Sequence, residues 1–432
     1  MAQPLQDIPL SYSCLHLALH KSHRFGPLTR YSFHRVPGNF GMLHAVTASV
    51  RDISQQKEIV AAGGGLTKNR AFFAAIGEAL ERLSLRQHHY LGLTAGRYTG
   101  KDCELDPNLL LQGIDELTFP LVRWHEEMEI LWHHGTELAC GKLCLIPAFS
   151  LFPNAAAHTP DGKLLYANTS TGTATSREKN AAILSGIYEV IERDAFVVHW
   201  ENRWAGIKKP LDSKSIALLR QIESRGFDVS VVALSTDTGV PVALAAIADK
   251  TGYQAAISFG AAARATWEEA SFRALEEALL TSFWISTRLY VDGTSYKEAQ
   301  DRMTLLPEPS DHAYLYGFPQ ATEKCRFLFE APKEDDVRFA NPPDKSVSNA
   351  ELEWALERLG SVRAICIYAD ITHPSAAALG LYVIRVVIPG FLPLTRGNVR
   401  SILNPRLVTI ADALGRAHGK DFGFNPDPHP FP

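Results

Sequence analysis

The sequence predicts an α+β (mixed α/β) body of enzyme size, and three observations carry that expectation. β-rich runs alternate with helical patterns along most of the chain. An acidic helix pattern occurs twice in the same apolar phase, and a run of small residues precedes each of three helices. At 432 residues with 46% hydrophobic residues, the chain has enough apolar material for a substantial core, which excludes global disorder.

Taken in order, residues 1–60 form an N-terminal segment with no basic region followed by an apolar stretch, so no secretory signal is visible and a cytoplasmic protein is expected. Residues 61–415 hold the main body. Within it, Gly63-Gly64-Gly65-Leu66-Thr67 leads into a helical pattern containing Glu78 and Glu81. Thr169 to Thr173 precede a second pattern containing Glu189 and Glu192, and Gly260 to Ala263 precede a third containing Arg273 and Glu277. Val229–Leu234 and Val240–Ala248 flank Ser-Thr-Asp-Thr-Gly and predict a hairpin. Leu305–His312 and Ala331–Ser348 are rich in Pro and charge and predict loops. Ser348 to Glu351 has capping-box spacing before Leu352, Ala355, Leu356 and Leu359, with Gly360 closing the helix. Arg363–Ala369 and Leu381–Ile388 predict two more strands. Residues 416–432 form a Pro-rich tail.

The chemistry lies in the acidic helices. Ile76 to Arg82 and Ile187 to Arg193 both read E-x-x-E-R, and residues three apart share a helix face, so each pair presents two carboxylates to one place. One copy is ordinary on a solvated helix; two copies in phase, each after a small-residue segment, point to a site. Gly172 and Glu189 are separated by 17 positions, as are Gly260 and Glu277, which suggests related units meeting at one centre. Clustered carboxylates repel unless a cation neutralises them, and Mg²⁺ takes oxygen ligands shared with nucleotide phosphates. Arg193 and Arg273 are then the phosphate-contacting cations. No G-x-x-x-x-G-K-[ST] and no G-x-G-x-x-G in the right context is present, so a nucleotide site here is of a less common type.

Other patterns carry less. The net charge of −4 disfavours nucleic-acid binding by bulk electrostatics. The longest apolar run near the C-terminus, Leu379–Pro393, is broken by Arg385 and Pro389-Gly390 and does not span a membrane. The six cysteines are scattered and make no disulfide framework. Cys140 and Cys144 alone cannot close a zinc site, and His133 and His134 are adjacent, so in a strand they face opposite ways.

The chain resembles the YcaO superfamily. The matching stretches are AAGGGLTKNRAFFAAIGEALERLS, YANTSTGTATSREKNAAILSGIYEVIERDAF, FGAAARATWEEASFRALEEALL and YADITHPSAAALGLYVIRVVIPGFLPL followed by RGNVR, in family order from about residue 60 to about 400. The resemblance implies a YcaO-type fold that binds ATP and Mg²⁺ through acidic helices with no Walker motif. It implies that Glu78, Glu81, Glu189 and Glu192 hold the Mg²⁺ ions, and that Arg193, Arg273 and Glu277 contact or organise the nucleotide. The chain departs from the family pattern at Gly64, Ala74, Ala181 and Leu280, which puts individual nucleotide contacts in doubt.

The tail reads Asn425-Pro426-Asp427-Pro428-His429-Pro430-Phe431-Pro432, and alternate prolines favour an extended strand. It resembles the PxPxP ending of azoline-forming YcaO cyclodehydratases, in which the extreme C-terminus reaches toward the ATP site. That implies catalytic placement of Pro432, Pro430 and His429. The expected reaction is ATP-dependent cyclodehydration of Cys, Ser or Thr in a ribosomal precursor peptide. A separate E1-like or ocin-ThiF-like partner is expected to bind the leader, since only about 60 residues precede the first glycine loop, with an FMN dehydrogenase where azolines are oxidised, the whole in an oligomeric complex. The alternatives are a YcaO enzyme making thioamides or amidines, and a non-catalytic scaffold subunit.

Overall fold

The first described elements form an antiparallel meander of β1 (Leu28–His34), β2 (His44–Asp52) and β3 (Lys57–Gly65). The computed structural model describes residues 28–52, 57–86, 88, 91–111, 121–166, 169–303, 310–330, 337–344, 349–395 and 399–431. β3 ends in the triple glycine and feeds α1 (Lys68–Arg86), which packs back on the meander. A Cβ at Gly63 would lie 2.1 Å from the Ala75 backbone nitrogen, so strand and helix meet backbone to backbone.

β4 (Thr94–Gly96), β5 (Ile130–Glu137), β6 (Leu143–Pro147) and β7 (Thr173–Ser176) begin a second sheet, and β7 leads to α2 (Lys179–Glu201). Asp212 then caps α3 (Ser213–Glu223), its carboxylate accepting from the Lys214 and Ser215 amides. β8 (Phe227–Leu234), β9 (Val242–Asp249) and β10 (Ile257–Ala263) form another antiparallel meander before α4 (Trp267–Asp292), so the meander–helix unit occurs twice. α5 (Tyr296–Arg302), opened by a Ser295–Glu298 capping box, α6 (Ser310–Tyr316) and α7 (Ala350–Ser361) follow. β11 (Ile367–Asp370) and β12 (Tyr382–Val387) return to complete the second sheet in the order β4-β5-β11-β12-β7, with β6 also on β5, and α8 (Arg406–Leu414) precedes the tail.

β9 shows why its sequence is an unbroken apolar run. Val242, Leu244 and Ala246 face the core that contains α2, while Ala243, Ala245 and Ile247 face the core of α3 and α4. Both faces of the meander are therefore covered, and the two-residue period leaves no position for a polar residue. α2 is consequently wrapped: Ala182, Ile187, Ile191, Ala195 and Val198 are all buried, and a charged motif on it points into protein.

The helices fall where the sequence places them, and so does the β8–β9 hairpin. Two local expectations are corrected. β11 begins at Ile367, because the chain leaving α7 first turns through Arg363 at φ 56°. The N-cap of α7 is Asn349, at φ 63° and without a side-chain cap bond, while Ser348 lies outside the described residues. The Glu351 carboxylate meant for the capping box instead accepts from the Tyr188 hydroxyl of α2 at 2.7 Å. Of the two loops, residues 304–309, 331–336 and 345–348 lie outside the described residues, and Ser310–His312 open α6. Among the described residues no helix is long and apolar enough to cross a membrane.

Candidate active site

The equal spacing in the sequence corresponds to equal packing. Gly172 and Gly260 each sit against the helix that follows, at positions 14 and 18 residues later: Gly172 against Gly186 and Val190, Gly260 against Ala274 and Ala278. These close approaches draw α2 and α4 onto their small-residue segments and set Glu189, Glu192 and Glu277 toward one another. α1 adds Glu78 and Glu81 from the other side.

The carboxylates feel each other strongly. Burial pushes Glu189 up to about 7, with Arg193 pulling it down and Glu192 adding to the rise. Burial likewise raises Glu277 to about 8, and the neighbouring Glu192 charge adds to it. Glu81 stands well above the usual carboxylate range through burial, then Glu78 and Glu189, and Glu192 is raised by burial. Arg193 lies among them: its burial is outweighed by Glu192, Glu277 and Glu189, which hold its guanidinium above its ordinary range. Its Nε is 3.4 Å from Glu192 Oε1, and its Nη1 is buried with no hydrogen-bond partner among the described residues. Glu78 sits at the cluster's outer edge, 2.8 Å from Arg82.

Arg273 does not pair with Glu277. Its Nη1 donates to Glu276 at 2.7 Å, and Glu276 also meets Arg70 of α1 at 2.8 Å and accepts from the Leu66 amide at 3.3 Å. Glu276 therefore ties α4 to the start of α1, a role invisible in sequence because it depends on two distant segments. Arg264, just after β10, acts electrostatically on both Glu192 and Glu277. Arg385 is the other residue that sequence reasoning passed over. Its signal was a lone charge in the apolar run of β12. It is 2% exposed, donates to Thr173 Oγ1 at 2.7 Å and to the Thr169 carbonyl at 2.8 Å, and is an electrostatic partner of Glu189.

The tail is built into the body. Trp200 Nε1 donates to the Asp427 carbonyl at 2.9 Å, Lys324 pairs with the Asp427 carboxylate at 2.6 Å, and Tyr316 donates to the Pro428 carbonyl at 2.5 Å. His312 Nδ1 lies 3.0 Å from the His429 carbonyl oxygen, and the two imidazoles stack with centroids 4.0 Å apart. Phe431 is fully buried against Phe196, with Arg193 over its ring. Pro430 is buried, and Pro432 lies outside the described residues. One hollow is lined by Glu189, Arg193, Thr171, Thr395 and His429 together, so residue 429 and the α2 acids face the same space. The His429 ring is neutral: burial, then His312, holds it well below the ordinary histidine range.

Two of the four departures from the family pattern are one event. A Cβ at Gly64 would fall 2.0 Å from Leu280 Cδ1, so the leucine of α4 occupies the space that the missing side chain leaves. Gly64→Ala is expected to cost roughly 1–3 kcal/mol by overpacking, and Leu280→Ala in the same chain to relieve most of it. Thermal melting of the two single variants and the double checks this, and simple additivity would contradict the contact. Ala74 is exposed on α1, and Ala181 is half-buried near the start of α2.

Among the described residues no three His, Cys, Asp or Glu side chains converge closely enough to hold an ion as they stand. The residues nevertheless suit a hard divalent cation: buried carboxylates raised by burial and mutual repulsion, beside an arginine with an unsatisfied donor. A carboxyl group raised in the folded state binds a proton that the unfolded chain releases, so it favours folding at low pH and loses that contribution as pH rises through its folded value. The buried neutral histidines His158, His199, His312 and His429 act in the opposite direction below about pH 6.5, so the metal-free protein is expected to melt at progressively lower temperature from about pH 6.5 to about pH 8, the range in which Glu189 and Glu277 ionise. Adding Mg²⁺ and ATP is expected to restore melting temperature at the alkaline end and to do little at the acidic end. A melting temperature flat with pH would contradict this.

Five free cysteines, including Cys140 and Cys144, are described, and His133 is buried while His134 is exposed.

The fold and the site thus define a class: proteins that set carboxylates from several helices around one centre without a phosphate loop of the Walker type. The family described as YcaO cyclodehydratase, ATP- and Mg²⁺-binding, matches residues 62–392, and the chain belongs to the YcaO family. ATP and Mg²⁺ are the cofactors of that family of ATP-dependent enzymes. Three solved structures are similar. A heterocyclase in complex with substrate and cofactor aligns with a TM-score of 0.72 and 18% identity, over 96% of this chain and 57% of that one. YcaO from Methanopyrus kandleri, bound with AMPPCP and Mg²⁺, aligns with 0.60 and 19%, over 89% and 91%. The E. coli microcin synthetase McbBCD complex aligns with 0.62 and 13%, over 92% and 96%. At these identities the likeness is one of fold, and the chain spans just over half the length of the heterocyclase.

Proposed function

We propose that the protein is an ATP-dependent cyclodehydratase that converts Cys, Ser or Thr of a ribosomal precursor peptide into thiazoline or oxazoline. The observation that carries this reading is the Pro-rich tail, which is held in the body with His429 lining the same hollow as Glu189 and Arg193. In this reading Glu78, Glu81, Glu189 and Glu192 hold Mg²⁺, while Arg193, Arg273 and Glu277 place the nucleotide. The thiol or hydroxyl adds to the carbonyl carbon of the preceding residue, and the carbonyl oxygen becomes the hydroxyl of a hemiorthoamide. When bound, ATP and Mg²⁺ supply the phosphoryl group that makes that oxygen a phosphate leaving group. The C–O bond then breaks, the nitrogen forms the C=N bond, and the amide proton leaves. The C-terminal carboxylate or His429, whose side chain lines the hollow with Glu189, takes up that proton. In this reading Pro430, buried in the body, and Pro432 belong with His429 to the catalytic tail.

A leader-binding partner of the E1-like or ocin-ThiF-like type, and an FMN dehydrogenase for azole products, complete the system. The likeness to a subunit of a microcin synthetase complex, also solved with pro-MccB17 bound, supports a peptide substrate and partner proteins. The test is reconstitution with partner and precursor peptide, followed by mass. The expected result is ATP-dependent loss of one water per ring. Exchange of oxygen for sulfur, dependent on a sulfide donor, would instead identify a thioamide-forming enzyme, and an absence of ATP turnover would identify a scaffold.

A further inference from the structure

The reaction hollow has a neighbour. A second hollow adjoins it through Thr171, which lines both. The walls run on from one to the other: Glu189 faces the first and Val190 the second, and Leu394 the first and Pro393 the second. The second hollow is mainly apolar, with Leu110, Val386 and Phe391 among its walls, and no described lining residue is acidic. Arg385 forms part of the wall and donates through Nη1 to Thr173 Oγ1 and through Nη2 to the Thr169 and Ser150 carbonyls.

We propose that this second hollow receives the side chain of the peptide residue whose carbonyl is attacked, and selects uncharged, apolar side chains there. The inference rests on the cyclodehydratase reading above. In that reaction the attacked carbon belongs to the residue preceding the nucleophile, and that residue's side chain branches from the adjacent Cα. It must therefore lie within a few ångströms of the reaction hollow, and the hollow beyond Thr171 is the space provided. A Lys or Arg side chain would meet the Arg385 guanidinium with no carboxylate on the lining to offset it. An acidic side chain would have to share the Arg385 guanidinium with Glu189 of the adjoining hollow, whose charge it would repel. An apolar side chain loses nothing on entry and gains the burial of its surface.

The probes are leader-bearing precursor peptides with a single core segment Gly-Xaa-Cys-Gly, Xaa being Gly, Phe or Lys, presented to the full-length protein with its leader-binding partner, Mg²⁺ and ATP. The wild type is expected to process Phe at least roughly tenfold better in kcat/KM than Lys. Leu109→Trp narrows the rim at a residue 37% exposed, where the fold tolerates change, and Ser401→Leu fills the interior. Each is expected to lower the Phe-to-Gly ratio by roughly tenfold while leaving the Gly peptide and ATP hydrolysis near wild type. An unchanged ratio in both variants overturns the proposal. A peptide with benzophenone-alanine at Xaa reports position without turnover: cross-links within residues 386–391 support the assignment, and cross-links confined elsewhere overturn it. If no peptide loses water, the cyclodehydratase reading fails, and the cross-link position still decides where the side chain sits.

Discussion

Glu192→Gln is expected to lower ATP-dependent peptide dehydration by roughly a thousandfold or more while leaving the protein folded. The substitution keeps the shape of the side chain and removes its charge. Glu192 is 6% exposed on the wrapped helix α2, beside Arg193, and its charge is one of the causes that raise Glu277. Removing that charge lowers repulsion among the acids, so the metal-free variant is expected to melt no lower than wild type. It also removes a buried anion from the set proposed to neutralise the cation, so Mg²⁺-dependent ATP binding is expected to weaken. Calorimetric titration with ATP and Mg²⁺, thermal melting and a mass assay separate these effects. Retained turnover with weakened stability would assign Glu192 a packing role. Glu78→Gln is expected to act in the same direction with a smaller effect, because Glu78 stands at the outer edge with Arg82 as a partner.

Deleting Pro430 to Pro432 is expected to stop dehydration, at least roughly a hundredfold, and to lower stability as well. Phe431 is fully buried against Phe196, and loss of such an aromatic ring costs about 3–5 kcal/mol. Stability alone would therefore not establish a role in chemistry. His429→Asn separates the two, since it keeps Phe431 and the His429 carbonyl bond to His312 but removes the imidazole that lines the hollow with Glu189 and Arg193. The expected result is a fall in dehydration with ATP affinity near wild type and a smaller loss of melting temperature than the truncation causes, since the buried ring stacks on His312. If both the truncated chain and His429→Asn dehydrate at the wild-type rate, the tail only packs.

Much of this molecule is readable residue by residue. The E-x-x-E-R phase, the glycine-to-glutamate spacing and the β-rich runs are local patterns fixed by helix and strand periods. They gave α1, α2 and α4, the carboxylates on their faces, and the fold class. The same patterns named Arg273 and Glu277 but passed over Glu276, which pairs with Arg273 and with Arg70 of α1. A capping box at Ser348 was equally plausible from spacing, and a hydroxyl from another helix took its glutamate.

What the sequence by itself determined is therefore the set of elements and the acids they carry, since backbone hydrogen bonding and side-chain period act over a few residues. Only the tertiary structure decided which charges face one hollow. Arg385 reaches Glu189 from a strand almost two hundred positions away, His312 stacks on His429, and Leu280 fills the space over Gly64. Those contacts join segments far apart in the chain, and close packing, which leaves no room for an unpaired charge or an unfilled glycine, selects them after the elements have formed.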